Sequence, residues 1–221
     1  MRLVLFDCDG TLVDSAGLIH EVMARTFVAY DLPRPDISET KSIIGLTLDI
    51  AIARMMGQAH VDDRAIAMTA YYKSIYADVR AEAGFQEPLF AGISDVMSTL
   101  SARDDLVLGA VTGKSRRGLN VISQTHGFTP IFAVSRTADD CPSKPHPAMV
   151  TECCAEANIA ASYTIVIGDA IYDMQMAKSA GATAIGVAWG YASVPELVAA
   201  GADSIARTPS DLIRVLETSH G

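Results

Sequence analysis

Four apolar residues, Leu3-Val4-Leu5-Phe6, run straight into Asp7-Cys8-Asp9-Gly10-Thr11-Leu12. A short apolar run containing Val and Phe reads as a buried strand. A parallel strand covered on both faces has this composition, and ligands then sit at its carboxyl end. The sequence therefore sets two carboxylates at the functional edge of a sheet. Strand alternation points Asp7 and Asp9 the same way if the extension continues, but Gly10 bends the chain there. Taken by itself, Asp9-Gly10 reads first as a solvated turn. The rest of the chain has to decide.

Downstream, helix and strand signals alternate. After Asp14-Ser15, the residues Ile19, Val22, Met23, Thr26, Phe27 and Tyr30 follow helical spacing, with Ser15 as N-cap. Leu32-Pro33-Arg34-Pro35 ends that helix. A second helix is expected from Thr47 to Met56. A third carries Met68, Tyr71, Tyr72, Ile75, Tyr76 and Val79 as one apolar stripe, read as core. No strand pattern interrupts residues 15 to 86, so this stretch reads as a helical unit inserted after the first strand.

From Pro88 the character changes. A helical stripe (Ile93, Val96, Met97, Leu100) precedes a strand at Leu106–Val111 that stops at Thr112-Gly113. A helix from Ser115 to His126 and a short strand at Ile131–Val134 follow. A loop then leads through Ser143-Lys144-Pro145-His146-Pro147 to another helix. Tyr163–Gly168 reads as a strand ending at Asp169. It is followed by helix Ile171–Ala180, strand Thr183–Val187, helix Pro195–Ala200, a strand near Ser204–Ala206 and a last helix after Ser210. Such alternation implies an α/β fold, a Rossmann-like parallel sheet with helices on both faces.

Composition narrows the function. Lys+Arg 17 against Asp+Glu 26 gives a net charge of −9, which argues against nucleic-acid and anionic-membrane partners. A small anionic substrate stays open, because local cations or a metal override the global field. The four cysteines, Cys8, Cys141, Cys153 and Cys154, form no CxxC pair and read as reduced thiols. The apolar run before Asp7 is too short for a signal peptide, and no stretch is long enough to span a membrane. A soluble cytoplasmic protein is the expectation.

Polar groups collect wherever a strand stops: Asp7 and Asp9, Thr112, then Asp169 with Asp173 one helical turn on. In a parallel sheet those ends share an edge. Converging carboxylates repel unless a cation holds them. The donors are hard oxygens, which suit Mg²⁺. Lys144 offers a point positive charge, and Thr112 with the amides of Gly113 and Lys114 offers donors for phosphate oxygens.

These residues resemble the four motifs of the haloacid dehalogenase-like superfamily, in order and over nearly the full length. Phe6–Ser15 is similar to the first, Val111-Thr112-Gly113 to the second, Ser143–Pro147 to the third, and Gly168-Asp169 with Asp173 to the fourth. The resemblance implies a catalytic core at 1–14 and 87–221 and a helical cap at 15–86, as in the branch holding phosphoglycolate phosphatases and β-phosphoglucomutases. It implies two-step phosphoryl transfer. Asp7 is then the nucleophile that forms an aspartyl-phosphate, and Asp9 the general acid and base. Thr112, Gly113 and Lys144 hold the phosphoryl group. Mg²⁺ is bound by Asp7, Asp169 and the Asp9 carbonyl, with Asp173 orienting a metal-bound water or Lys144.

Rival readings are weaker. Gly109 to Ser115 nearly matches a P-loop but has one residue too few between its glycines. A phosphomutase of this branch usually carries a basic residue near Gly45, and Gly45-Leu46-Thr47-Leu48-Asp49 has none. A silent binding protein on the same fold would be marked by loss of Asp7 or Asp9. The expectation is a phosphatase acting on a small phosphorylated metabolite. Lys114, Arg116 and Arg117 read as a solvated helix face, with contact to a second anionic group of the substrate as the alternative.

Overall fold

A computed structural model of the chain describes residues 1–218. Six strands form one parallel sheet: β1 (Arg2–Phe6), β2 (Leu106–Val111), β3 (Val134–Arg136), β4 (Thr164–Gly168), β5 (Thr183–Val187) and β6 (Ser204–Ala206). Their spatial order is β3-β2-β1-β4-β5-β6. Strand order reverses between β1 and β4, which is where an open parallel sheet leaves a crevice at its carboxyl edge. Register places Phe6 beside Ala110 of β2 and Ile167 of β4, so the three strands end level.

Alternation along β1 feeds two cores. Val4 and Phe6 pack with Val96, Met97 and Leu100 of α5 (Ile93–Ser101) and with Leu212, Val215 and Leu216 of α10 (Pro209–Thr218). Leu3 and Leu5 face the other way, onto Met149, Val150 and Cys153 of α7 (Ala148–Ala157) and Met174 and Ala177 of α8 (Ile171–Ala180). All of β1's apolar side chains are fully buried. Each contributes roughly 1.5–3 kcal/mol, so the strand that carries Asp7 and Asp9 is among the most firmly held. Helices α6 (Arg116–His126) and α9 (Val194–Ala199) complete the two covering layers.

Between β1 and α5 lie four helices: α1 (Ala16–Ala29), α2 (Ile37–Ile43), α3 (Leu48–Met55) and α4 (Asp63–Ala81). They share a third core, built on Val22, Met23, Phe27, Ile52, Met68 and Tyr72. The α4 stripe is core, as expected, although Tyr71 and Tyr76 turn only partly inward. The chain leaves and rejoins the sheet layer side by side. Asp14 N donates to the Pro88 carbonyl at 2.8 Å, and Val13 bridges Leu89.

Two expectations shift. The strand expected at Ile131–Val134 forms at Val134–Arg136. Ile131 and Phe132 instead pack on the core from the preceding turn, while β3, an edge strand, tolerates Ser135 and Arg136. Helix α2 was not expected. It is short and polar, and its marker is local: the Asp36 amide donates to the Glu39 side chain at 2.8 Å, half of a capping box. The four cysteines are buried and unpaired. Among the described residues, no helix is long and apolar enough to cross a membrane.

Candidate active site

The first motif turns as soon as β1 ends. The Asp7 amide still donates to the Ile167 carbonyl, at 2.9 Å, and the amides of Leu12 and Val13 then fold back onto the Cys8 carbonyl. Gly10 sits at φ +83, and a Cβ there would lie 2.1 Å from Asp169 Oδ2. Only glycine combines that backbone conformation with that approach. The turn thereby brings Asp7 to Asp169, which follows β4.

Each neighbouring carboxylate is held differently. Asp169 accepts from Thr11 Oγ1 at 2.9 Å through Oδ1 and from the Tyr191 amide at 2.9 Å through Oδ2. Asp173, in the first turn of α8, accepts from the Ala170 amide at 3.0 Å and from Lys144 Nζ at 2.6 Å. Lys144 also approaches Asp7 Oδ1 at 2.9 Å as an ion pair. Yet neither Asp7 oxygen has a donor in good hydrogen-bonding geometry, although both are buried. Such orphans are rare in native interiors and point to a missing partner.

Oxygens of Asp7, Asp169 and Asp173 lie within 4.8 Å of one another, all three residues being buried. One ammonium, that of Lys144, pairs with two of these three carboxylates, Asp7 and Asp173. Two negative charges are left over, which a divalent cation cancels. An orphaned carboxylate, an all-oxygen donor set and that charge deficit fit a hard divalent metal ion. The site responds as an uncompensated one. Burial first, then Asp173 and Asp9, push the Asp7 carboxyl up to about 7 against the opposing pull of Lys144. Burial, with Asp7 and Asp173, likewise pushes Asp169 well up. Burial favours neutral Lys144, but Asp173 and Asp7 outweigh it and hold the ammonium charged.

The haloacid dehalogenase-like hydrolase sequence pattern matches residues 4–187. The chain belongs to that family. Within the haloacid dehalogenase-like hydrolases it is 29% identical over 214 residues to "Probable phosphatase IndB" of Dickeya dadantii (strain 3937), covering 96% of this chain and 91% of that one. It is 28% identical over 241 residues to the phosphoglycolate phosphatase of Escherichia coli (strain K12), covering 100% and 94%. Its fold matches a hydrolase from Pseudomonas syringae with TM-score 0.84 and 23% identity, over 98% of both chains.

The family's remaining motif positions meet at the same edge. Thr112 is buried, its hydroxyl accepting from the Lys114 amide at 3.2 Å. A Cβ on Gly113 would lie 2.7 Å from the carbonyls of both Gly45 and Leu46, so the loop before α3 rests on the second motif. The same loop touches the third motif, the Thr47 amide donating to Ser143 Oγ at 2.9 Å. The helical insert thus closes directly over the strand ends.

Asp9 faces elsewhere. Its side chain stands apart from the three-carboxylate cluster; it accepts from Ser15 Oγ and pairs with Lys114 Nζ at 2.8 Å. Ser15 caps α1 by position only, because its hydroxyl is spent on Asp9. Lys114 is not solvated: its side chain is 8% exposed and bridges Asp9 and Glu87. Arg116 binds Ser135 and Asp140, and Arg117 is exposed. Ser15, Glu87, Thr11 and Tyr191 are the neighbours that the sequence reading missed. Thr11 and Ser15 lay inside the first motif without being given a role in the site; Glu87 and Tyr191 arrive through long-range packing. His146 is a loop residue bonded to the Ala148 amide, and Cys8, its thiol pushed up by burial, is inert core.

The raised carboxyls predict a stability profile for metal-free protein. Asp7 has a folded value of about 7 against 3.8 for an ordinary carboxyl, so the folded state holds the proton more tightly. The contribution of Asp7 to stability is full below about pH 4 and is lost as pH rises towards 7. His20, lowered first by burial, opposes this in the same window but is only partly buried. In EDTA the melting temperature is expected to fall between about pH 4 and 7, and excess Mg²⁺ is expected to flatten that slope. A flat profile in EDTA would contradict the charge deficit.

Proposed function

We propose that the chain is a Mg²⁺-dependent phosphatase of small phosphorylated metabolites, of the phosphoglycolate phosphatase kind. The observation that carries this is Asp7. It is a buried carboxylate at the sheet's carboxyl edge whose oxygens have no donor in good hydrogen-bonding geometry, with an ammonium ion-paired on one side and two carboxylates beside it.

In this reading an Asp7 oxygen attacks phosphorus and the bond to the ester oxygen breaks. Asp9 gives its proton to the departing oxygen. Water then attacks the aspartyl-phosphate, Asp9 takes a proton from it, and phosphate leaves while Asp7 is restored. Lys144, the Thr112 hydroxyl and the Gly113 amide stabilise the phosphoryl oxygens, the electrostatic contribution that usually dominates. Asp7, Asp169 and the Asp9 carbonyl would hold Mg²⁺, with Asp173 orienting Lys144 or a bound water. The ion would supply positive charge against the phosphoryl oxygens.

We further assign residues 1–14 and 87–221 to the core and 15–86 to the cap. The paired crossings at Asp14 and Pro88 support this division, as does a helical core drawn mainly from 16–85 that Tyr172 of α8 joins from below. A cap loop resting on the second and third motifs favours a small ester over a phosphoprotein. Phosphoglycolate, sugar phosphates, nucleotides and pyrophosphate form the test panel. Phosphate release is expected with Mg²⁺ and absent in EDTA, with 2-phosphoglycolate among the best esters. Release from no ester, by folded protein with Mg²⁺, would overturn the reading.

A further inference from the structure

Beside the carboxylate cluster lies a second buried set of charges. Lys114 Nζ stands between Asp9 Oδ1 at 2.8 Å and Glu87 Oε1 at 2.7 Å. Glu87 is itself fixed from the insert: Arg80 Nε reaches Oε2 at 2.9 Å, and the Tyr76 hydroxyl donates to Oε1 at 3.2 Å. Both residues belong to α4. His126 Nε2 donates to the Glu87 carbonyl at 3.0 Å, anchoring the same residue to α6. With Asp9 in its carboxylate form, two carboxylates and two cations balance here, unlike at Asp7, so no metal is called for. The side chains of Lys114, Glu87 and Asp9 are 8%, 3% and 9% exposed. Charges this dry interact strongly and fix one another's geometry.

We propose that Lys114 and Glu87 are positioning residues that hold the Asp9 carboxyl against the ester's departing oxygen and tie it to α4 of the cap. The proposal rests on the reading of Asp9 as proton donor. Asp9 lies past the end of β1, just before the Gly10–Leu12 turn, so the strand itself does not orient its side chain. Ser15, at the start of the insert, and Lys114 both bind its Oδ1, so one oxygen of the carboxyl is held by two groups. Lys114 in turn is aimed by Glu87, whose own orientation is set by Arg80 and Tyr76. A seated cap therefore aims the proton donor. In the step concerned, the Asp7 oxygen–phosphorus bond forms, the phosphorus–ester oxygen bond breaks, and the Asp9 proton passes to the ester oxygen.

Leaving-group dependence tests this. An alkyl ester such as 2-phosphoglycolate needs that proton. p-Nitrophenyl phosphate does not, because nitrophenolate departs as a stable anion. The ratio of kcat/KM on the two esters reports proton donation and cancels phosphate binding, nucleophilic attack and metal. Asp9→Asn gives the reference shift. Lys114→Met and Glu87→Gln are each expected to lower the alkyl-to-aryl ratio, by on the order of 10–100-fold for Lys114→Met, since small misplacements of a catalytic group cost that much. Melting temperature is followed on the same samples. The double variant K114M/E87Q removes one charge of each sign, so it carries the test if the single variants fold poorly. Equal losses on both esters, with the ratio unchanged, would mean that the pair serves only the fold or phosphate binding, and would overturn the proposal. Absence of turnover of either ester by the unmodified chain would instead overturn the phosphatase reading, and this one with it.

Discussion

Asp7→Asn is expected to lose turnover by at least about 10⁴-fold, the scale on which removal of a covalent nucleophile is felt, while folding as well as the unmodified chain. The reason is the way oxygens are shared out at the sheet edge. Asp169 has one donor on each oxygen, and so does Asp173. Asp7 alone keeps its oxygens free of well-formed hydrogen bonds. A carboxylate that must form a bond to phosphorus needs such an oxygen; one that only braces the site does not. The amide removes a buried charge that the metal-free fold holds at a cost, as the rise of Asp7 to about 7 records. Lys144 keeps Asp173 as partner. Melting of Asp7→Asn in EDTA should therefore be no lower than that of the unmodified chain, and the increment from Mg²⁺ should shrink with one ligand gone. Steady-state kinetics beside paired melts check both halves. Turnover within tenfold of the unmodified chain would move the nucleophile elsewhere.

Lys144→Met should do the opposite to stability. Its Nζ is the ammonium between Asp7 and Asp173, and its side chain is 0% exposed. Removing one partner of a buried charged set leaves the others uncompensated, at about 3–5 kcal/mol. For a chain of this length that is a fall of roughly 6–20 °C in melting temperature. Methionine fills a similar volume, so the loss reports charge more than cavity. Mg²⁺ supplies the missing positive charge, so it should raise the variant's melting temperature by more than it raises that of the unmodified chain. Turnover should fall by at least about 10²-fold with the metal present, as when one preorganised donor is lost from a transition state. An unchanged melting temperature in EDTA would show that the three carboxylates do not need Lys144.

Why the sheet was readable in the sequence and parts of the site were not has a physical basis. β1, β2, β4 and β5 are buried on both faces, so each is an apolar run; β1, β2 and β4 also have a polar stop, and those stops mark the edge where Asp7, Thr112 and Asp169 meet. β3 is an edge strand with less to bury, and its apolar neighbours Ile131 and Phe132 drew the expectation off register. α2 buries little and announces itself only through the Asp36–Glu39 cap. Lys114 looked solvated because its sequence neighbours Arg116 and Arg117 are polar. Its partners, Asp9 and Glu87, are distant along the chain, and no local pattern predicts that they will close on it. Ser15 shows the same limit: a hydroxyl in a capping position still bonds to whatever acceptor the fold delivers.

The pairing of Asp14 with Pro88 has a consequence for how the chain accommodates change. A loose excursion between β1 and β2 would tax their association through the entropy of closing it, by about 0.6 kcal/mol for each doubling of its length. Here the excursion buries most of its apolar side chains in a helical core, with Tyr172 of α8 added, and hands back its two ends already adjacent. The register of Leu3 on Val107 is then indifferent to how many residues lie between the crossings. Helices can be gained, lost or exchanged on that outgrowth while the sheet beneath keeps its alignment.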